Sequence, residues 1–190
     1  MRKGVLMEVD YGPLTGLIGT FNGDKGIDIA PDREDGKEEN LFYETIVFSK
    51  AGEVVNADEQ RLAALHYHQV VTRKSDDAVI HNQTGYWMWD KERKLVIQSI
   101  AIPRAVCLLA SGAAHTGPNG ETVIKVVSDL KHEHWSIIQS PFMDQKAKTI
   151  AFDQKLTING DELHYFETTL VDIYGHIFEH TDTNTLKRVK

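Results

Sequence analysis

Nine histidines are the most conspicuous chemical resource of this 190-residue sequence. Two pairs, His66/His68 and His132/His134, have a single residue between their members. Residues two apart on a β-strand share a face, so each pair could offer two imidazoles to one metal ion. Chelation needs a third ligand, and no carboxylate stands at a fixed spacing beside His66 and His68. The pairs therefore do not by themselves predict a metal site.

Other sequence signatures of catalysis are missing. The chain has no phosphate-binding loop, no Gly-x-Ser-x-Gly turn, no His-Glu-x-x-His helix and no paired cysteines that would bind zinc. Its single cysteine, Cys107, lies in the apolar run 105–110, which favours a small buried side chain over a nucleophile. One cysteine also cannot form an intrachain disulfide.

Composition restricts the partners and the compartment. The chain has 28 acidic and 21 basic side chains and a formal charge of -7, so its field repels phosphate backbones and anionic lipid head groups. We therefore expect neither nucleic acid nor a membrane as a partner. The first residues lack the apolar run of a signal peptide, and no run approaches the roughly 20 apolar residues of a membrane helix. These features predict a soluble, cytoplasmic protein with a single domain over 1–190.

The elements that must position any site are predicted to be β-strands. Ten runs rich in β-branched and aromatic residues alternate with turn signals, the clearest of which are 118–120 and 159–161. The runs are 18–29, 41–49, 62–73, 79–90, 95–102, 105–113, 122–129, 149–158, 162–173 and 181–189. Helical patterns are confined to 11–17 and 56–65, and the charged segment 31–40 is predicted to be an exposed loop.

This pattern predicts an all-β fold. We expect a single antiparallel up-and-down β-barrel of about ten strands, of the calycin or lipocalin type, with one or two short helices. The last strand is expected to close on the first. Gly19, Gly23 and Gly26 fall inside the first strand, which indicates a sharp bend or a close backbone approach at a barrel corner.

Four fragments resemble the nitrobindin family, small heme-binding β-barrels similar in shape to fatty-acid-binding proteins. Segment 13–23 resembles the opening Gly-x-Trp-x-Gly-x-Gly segment of that family, and 42–44 resembles its second strand. Segment 81–87 is similar to its His-x-Glu-x-Gly-Tyr strand, and 159–165 to its penultimate strand. The fragments keep the family order across nearly the whole chain.

The resemblance implies a cofactor and a chemistry. Family members hold ferric heme b through one histidine of the C-terminal strand and are implicated in nitric oxide and peroxynitrite chemistry. The matching segment here is 179–186, which makes His180 the expected iron ligand and His176 the fallback. Aligned without a gap, the family histidine falls on Thr181, so a local bulge is needed to place His180 in the pocket. If the protein is an enzyme, the resemblance implies a peroxynitrite isomerase.

A second hypothesis is a carrier that binds a small apolar ligand without iron, since barrels of this size enclose a cavity in either case. The C-terminus lacks the Arg-x-Tyr arrangement of fatty-acid carriers, so a fatty acid is not favoured. Besides His180, the polar residues expected to contact heme or another ligand are His66, His68, His81 and Tyr86. Successive residues of the aromatic run 86–89 alternate faces, and rings left outside the barrel would favour a homodimer.

Overall fold

The computed structural model describes residues 8–34 and 36–189 of the chain. Most of these residues form β-strands, so the all-β fold class predicted from the sequence is confirmed. In chain order the strands are β1 (Gly19–Pro31), β2 (Lys37–Asn56), β3 (Gln60–Arg73), β4 (Val79–Asp90), β5 (Leu95–Ile102), β6 (Val106–Thr116), β7 (Thr122–Asp129), β8 (Ile137–Gln139), β9 (Ala147–Asn159), β10 (Glu162–Ile173) and β11 (His176–Arg188).

Two short helices accompany the strands within the described ranges. A 3-10 helix covers Gly12–Leu17, which confirms the short helix predicted there. Helix α1 covers Pro141–Lys146 and begins after Ser140, whose Oγ accepts a hydrogen bond of 3.3 Å from the backbone N–H of Met143. None of the helices in the described part of the chain is long and apolar enough to span a membrane.

Ten of the strands form a closed antiparallel barrel. The hydrogen-bonded order is β5-β4-β3-β2-β1-β11-β10-β9-β7-β6, and pairing between β5 and β6 closes the ring. The first and last strands are neighbours, with Asp28 opposite Asp182 and Ile29 opposite Thr181. The predicted closure of the last strand on the first is confirmed.

Strand β8 lies outside this ring and was not predicted. It pairs with Val106–Leu108, at the beginning of β6, whereas β7 pairs with the later residues 111–116 of the same strand. A run of three residues is too short for a periodic signal in the sequence. Its role is to cover the edge of β6 that β7 does not reach.

Two local predictions were wrong. The segment 56–65, predicted as helix, is a turn followed by β3, because Ala57 and Asp58 adopt positive φ values of 50° and 59° that end β2. Half of the predicted loop 31–40 is strand, since β1 extends to Pro31, β2 begins at Lys37, and these two residues pair with each other.

The end of the barrel that contacts the 3-10 helix is packed with apolar side chains. Leu14 and Leu17 of the 3-10 helix are fully buried and meet Phe21 and Leu186 in the same core. Burial of this kind contributes about 1.5–3 kcal/mol for each large apolar side chain. The 3-10 helix therefore closes one end of the barrel and leaves the opposite end for a ligand.

Strand alternation also decides which residues reach the interior. Val106 and Leu108 point inward and are buried, so Cys107 between them is exposed, contrary to the buried side chain predicted for it. In β4, Trp87 is buried and Tyr86 is exposed, as the expected alternation of the aromatic run requires.

A bulge interrupts β1 between Gly23 and Gly26. The pairing register of β1 with β2 shifts between these two glycines. A Cβ atom at Gly26 would overlap the ring of Phe42, and one at Gly23 would lie 2.8 Å from Cγ of Leu186. The close approach predicted at Gly23 and Gly26 is confirmed, but the approaching atoms belong to side chains and not to the backbone.

Candidate functional site

A cavity of about 380 Å³ opens at the end of the barrel opposite the 3-10 helix. This volume falls within the ~300–1,000 Å³ typical of small-molecule sites. One wall is apolar and comes mainly from β5, β6 and β9, with Ile100, Ile102, Val106, Leu108 and Phe152. An apolar ligand surface would pack against this wall.

The opposite wall is acidic. His180 and Asp182 are two residues apart on β11 and therefore face the interior together. Strand register places Asp28 of β1 and Glu167 of β10 on either side of Asp182. All four side chains line the cavity. One imidazole and three carboxyl groups thus meet on three adjacent strands.

His180 forms the closest contact in this group. Its Nε2 lies 2.5 Å from Oδ1 of Asp28 and 3.5 Å from Oδ2 of Asp182. The other oxygen of Asp28, Oδ2, accepts a hydrogen bond of 2.9 Å from Nδ2 of Asn40. Burial alone would lower the pKa of His180, but the hydrogen bond with Asp28 and the charges of Asp182, Asp28 and Glu167 outweigh it and raise the pKa. This contact favours the protonated imidazole.

Two further carboxyl groups of the acidic wall have raised pKa values. Burial raises the pKa of Glu167 to about 8, and the charge of Asp182 adds to this effect. Burial likewise raises the pKa of Asp182 to about 6, although the positive charge of His180 opposes it. Nε2 of Gln154 donates to Oε2 of Glu167 at 2.7 Å. The acidic wall therefore holds protons that exposed carboxyl groups would release.

A series of hydrogen-bonded side chains crosses the interior on the side of the acidic wall that is nearer the 3-10 helix. Nε2 of Gln83 donates to Oε1 of Gln69 at 2.9 Å, and Nε2 of Gln69 donates to Oε2 of Glu44 at 2.6 Å. Nδ2 of Asn184 donates to Oε1 of the same glutamate at 2.8 Å. Burial raises the pKa of Glu44 to about 7 despite these hydrogen bonds. These hydrogen bonds hold the side chain of Glu44 between Gln69 of β3 and Asn184 of β11.

His81 is the second imidazole that lines the cavity. It lies on β4, and its Nε2 is 2.9 Å from Oε1 of Gln83. Burial lowers the pKa of His81, so the neutral form is favoured. Arg73 and Arg104 line the same cavity. Arg73 pairs with Asp76, and Nη2 of Arg104 donates to the carbonyl oxygen of Ile80 at 3.0 Å.

The structure separates the residues expected to contact a ligand into two groups. His180 and His81 line the cavity. His66, His68 and Tyr86 lie on the outer face of the barrel, because they alternate with the inward-facing Leu65, Tyr67, Gly85 and Trp87 along β3 and β4. On that face His66 contacts the ring of Tyr86, with 5.4 Å between the ring centroids. These three residues cannot reach a ligand held inside the barrel.

The register of β11 shows where His180, Thr181 and His176 lie. β11 pairs with β10 without a shift, and His180 faces the cavity while Thr181 faces outward. The expected bulge at His180 was therefore wrong, because the register shift between β1 and β11 lies in β1, between Asn22 and Ile27. His176, the fallback ligand, lies at the beginning of β11 with its ring 6.3 Å from that of Phe178.

The carboxyl groups of the acidic wall were not among the residues singled out in the sequence. Charged residues within strands are ordinarily expected to face solvent. A signal was nevertheless present, since His180, Asp182 and Asn184 alternate on β11 and lead to the buried Leu186. Because Leu186 is buried, extending this alternation back along β11 predicts that Asn184, Asp182 and His180 also face the interior of the barrel.

Comparisons with known proteins agree with this architecture. Residues 10–188 match the family model described as THAP4-like, heme-binding beta-barrel domain. The crystal structure of Rv2717c from M. tuberculosis is similar to this chain with a TM-score of 0.68 and 20% identity over 95% of this chain and 100% of that one. At this identity the likeness shows the fold alone. A search of curated proteins finds no match.

The family match covers nearly the whole described chain, and the resemblance to the nitrobindin family is confirmed. The match also supports heme or a comparable small molecule as the ligand of this fold. The chain belongs to the THAP4-like family of heme-binding β-barrel domains.

Proposed function

We propose that this barrel binds heme b in its open cavity, where Nε2 of His180 would hold the iron. The observation that carries the proposal is the position of His180, which lies on the inner wall of a cavity whose opposite wall is apolar. A single imidazole nitrogen is sufficient to hold heme iron from one side. Family membership supports the choice of cofactor.

The residues of the cavity fit heme in three respects. His180 supplies the nitrogen donor, and the aliphatic side chains of β5 and β6 supply an apolar surface for the macrocycle. Arg73 and Arg104 line the same cavity, and their guanidinium groups could pair with the two propionates by exchanging their contacts with Asp76 and the carbonyl oxygen of Ile80. The fit has one chemical condition. Because Nε2 of His180 is hydrogen-bonded to Asp28, its proton must leave before its lone pair can bind iron.

The neighbouring residues would control this site through their charge and protonation. Asp28 receives its own hydrogen bond from Asn40 and so holds a fixed position beside the imidazole. His81 offers a neutral imidazole on another strand of the same cavity. This imidazole could donate a hydrogen bond to a bound small molecule or accept one from it. When bound, ferric heme supplies Lewis-acid chemistry toward nitric oxide and peroxynitrite.

The test of heme binding is a titration of the purified protein with hemin, followed by its Soret absorption. We expect a saturable band with one heme per chain, and we expect His180→Ala to weaken the binding at least tenfold. His164→Ala is the matched control, since His164 lies on the adjacent β10 but faces outward and bonds to Thr185. Equal hemin binding by the parent and the His180 variant would refute the assignment of the ligand.

Catalysis is tested separately on the heme-loaded protein. We propose isomerisation of peroxynitrite to nitrate as the reaction, in keeping with the family resemblance. The rate of peroxynitrite loss, followed by stopped-flow absorbance, should rise with the amount of loaded protein and should fall in the His180→Ala variant. A loaded protein that leaves the spontaneous rate of decay unchanged would restrict the function to heme binding.

A carrier role without iron is the second candidate. The observation that favours it is the contact of His180 with Asp28 and Asp182, which already occupies Nε2. A ligand for this arrangement would place hydrogen-bond donors or a positive charge against the acidic wall and an apolar surface against β5 and β6. Failure of hemin to bind, together with retention of such a ligand through native mass spectrometry, would favour the carrier.

A further inference from the structure

We propose that Asp28, His180 and Asp182 form a binding site for one divalent transition-metal ion of the Zn²⁺ and Fe²⁺ class, without a porphyrin. The three side chains line the same cavity and each offers one ligand atom, and Nε2 of His180 contacts both Oδ1 of Asp28 and Oδ2 of Asp182. The inference does not rest on heme binding. The two cofactors would compete, because both require Nε2 of His180.

The geometry of the three ligand atoms is close to that of a metal site. All of them lie within 4.8 Å of one another. Bonds of 2.0–2.2 Å in a tetrahedral site separate two ligand atoms by about 3.4 Å. Nε2 of His180 is already 3.5 Å from Oδ2 of Asp182. Its 2.5 Å separation from Oδ1 of Asp28 is that of a shared proton and would widen by about 1 Å when a metal ion replaces the proton.

The strands hold these ligands in place before any ion arrives. His180 and Asp182 are fixed on one face of β11, and Asp28 lies directly opposite Asp182 on β1. Nδ2 of Asn40 donates to Oδ2 of Asp28 and leaves Oδ1 directed at the site. Hydrogen bonds of this kind orient metal ligands and set their affinity. The site is therefore rigid, and its ligands come from the barrel wall instead of a loop.

The charge of the surrounding wall is a separate reason to expect a cation. Glu167 also lines this wall, opposite Asp182, and adds a further carboxyl group to those of the two aspartates. Among the described residues that line the cavity, the arginines are Arg73 and Arg104, and both have partners of their own in Asp76 and the carbonyl of Ile80. Binding of a cation would release the proton that His180 and Asp28 share, as is usual when a metal ion binds protonated ligands.

The mixed donor set selects the class of ion. An imidazole nitrogen favours Zn²⁺ and Fe²⁺ over Mg²⁺, which prefers oxygen ligands and retains its waters. Three protein ligands leave a coordination position directed into the cavity, as in catalytic zinc sites. A small anionic or carbonyl-containing ligand could occupy that position.

The test uses the whole protein after removal of metals with a chelator. Zn²⁺ is titrated by calorimetry and Co²⁺ by visible absorption, with Mg²⁺ as a comparison. We expect one Zn²⁺ per chain, tetrahedral or five-coordinate Co²⁺ bands, and no measurable heat from Mg²⁺ at the same concentration. Asp182→Asn should weaken Zn²⁺ binding at least tenfold, and Asn40→Ala should weaken it by about tenfold through the loss of orientation at Asp28.

A control is needed for metal binding at the protein surface. His132 and His134 are exposed in a loop, with ring centroids 6.3 Å apart, and His134→Ala removes that pair without touching the cavity. Zn²⁺ binding that is lost in the His134 variant but kept in Asp182→Asn would overturn the proposal, as would the absence of binding to the parent. Thermal melting of both cavity variants shows whether the barrel remains folded.

The same variants separate this proposal from heme binding. Hemin and Zn²⁺ are titrated independently into the metal-free protein. Zn²⁺ binding without hemin binding would support the metal site and refute the heme proposal, and hemin binding without Zn²⁺ binding would do the reverse. If both bind, preloading with Zn²⁺ should reduce the Soret band at subsaturating hemin, because His180 cannot serve both.

Discussion

Glu44 illustrates how single residues set the electrostatics of this barrel. Its side chain is only 2% exposed, and its two oxygens accept hydrogen bonds from Gln69 and Asn184. Burial nevertheless raises its pKa from 4.5 to about 7, so folding favours the protonated acid. In the unfolded chain the group releases its proton at lower pH. The folded protein therefore loses stability as the pH rises through this interval.

We expect Glu44→Gln to remove most of this pH dependence. A shift from 4.5 to about 7 corresponds to about 3 kcal/mol, present below pH 4.5 and lost above pH 7. Glutamine keeps one acceptor oxygen, and its NH2 group donates where the protonated acid donates its O–H, provided that the facing amide of Gln69 or Asn184 turns its oxygen toward it. The melting temperature of the variant should be close to that of the parent at pH 5 and several degrees higher at pH 8.

The matched control for Glu44→Gln is Glu162→Gln, which changes an exposed glutamate at the beginning of β10. It should leave the difference in melting temperature between pH 5 and pH 8 unchanged. A parent protein as stable at pH 8 as at pH 5 would contradict the expected effect of Glu44. Parallel pH profiles for the parent and the Glu44 variant would contradict it equally.

At the scale of elements, the bulge in β1 determines how the strand passes the core. The register with β2 shifts between Gly23 and Gly26, and the register with β11 shifts between Asn22 and Ile27. The fully buried ring of Phe42 fills the space that a side chain at Gly26 would need. Beyond the bulge, β1 continues to Asp28 and places it in the acidic wall.

Gly26→Ala should therefore destabilise the barrel. The added methyl group must displace the ring of Phe42, and overpacking of this kind costs about 1–3 kcal/mol. We expect a melting temperature several degrees below that of the parent, measured by circular dichroism. Gly117→Ala is the control, since its methyl group would meet only the movable side chain of Glu121 in a turn. Equal losses in the two variants would show that the effect is not specific to the bulge.

Several elements could be predicted from the sequence with their bounds. The runs 79–90, 95–102, 122–129 and 162–173 coincide with β4, β5, β7 and β10, because turn residues flank each apolar run on both sides. The short β8 and α1 could not be predicted, since neither is long enough to show a period. The position of β8 depends on its pairing with the beginning of β6, which lies much earlier in the chain, and α1 contacts β9, the strand that follows it directly.

The candidate site was predictable only in part. His180 could be identified through the family resemblance, and His81 through its matching strand. Asp28, the partner of His180, lies 152 positions away in the chain, so the contact between them depends on the register of β1 with β11. Such register is a property of the closed ring. A single sequence does not specify which residues of its first and last strands stand opposite each other.

At the scale of the whole molecule, closure of the ring governs how the chain folds. Most strands pair with a neighbour in sequence, but β1 pairs with β11 across nearly the full length of the chain. Pairing over such a distance slows folding, because the chain loses entropy before the contact forms. The closed ring in turn protects its strands, since the ladder between β1 and β11 leaves neither of them at an open edge.

We expect refolding from denaturant to take from about a millisecond to several seconds, as for other proteins dominated by distant strand pairs. Tryptophan fluorescence, to which the buried Trp87 contributes together with Trp89 and Trp135, reports the formation of the core in a stopped-flow experiment. Complete recovery of the native signal in tens of microseconds would contradict this expectation. Hydrogen exchange measured in parallel should show β1 and β11 gaining protection together.

The pairing of β1 with β11 also has a consequence for biosynthesis. Until the ribosome has passed residue 188, at the end of β11, the strands β1 and β10 each expose a row of unpaired backbone groups. Unpaired strand edges favour aggregation, so we expect the nascent chain to be prone to aggregation until β11 has been made. His180 and Asp182 arrive with that last strand, so a chain that stalls before β11 has neither a closed barrel nor a ligand site.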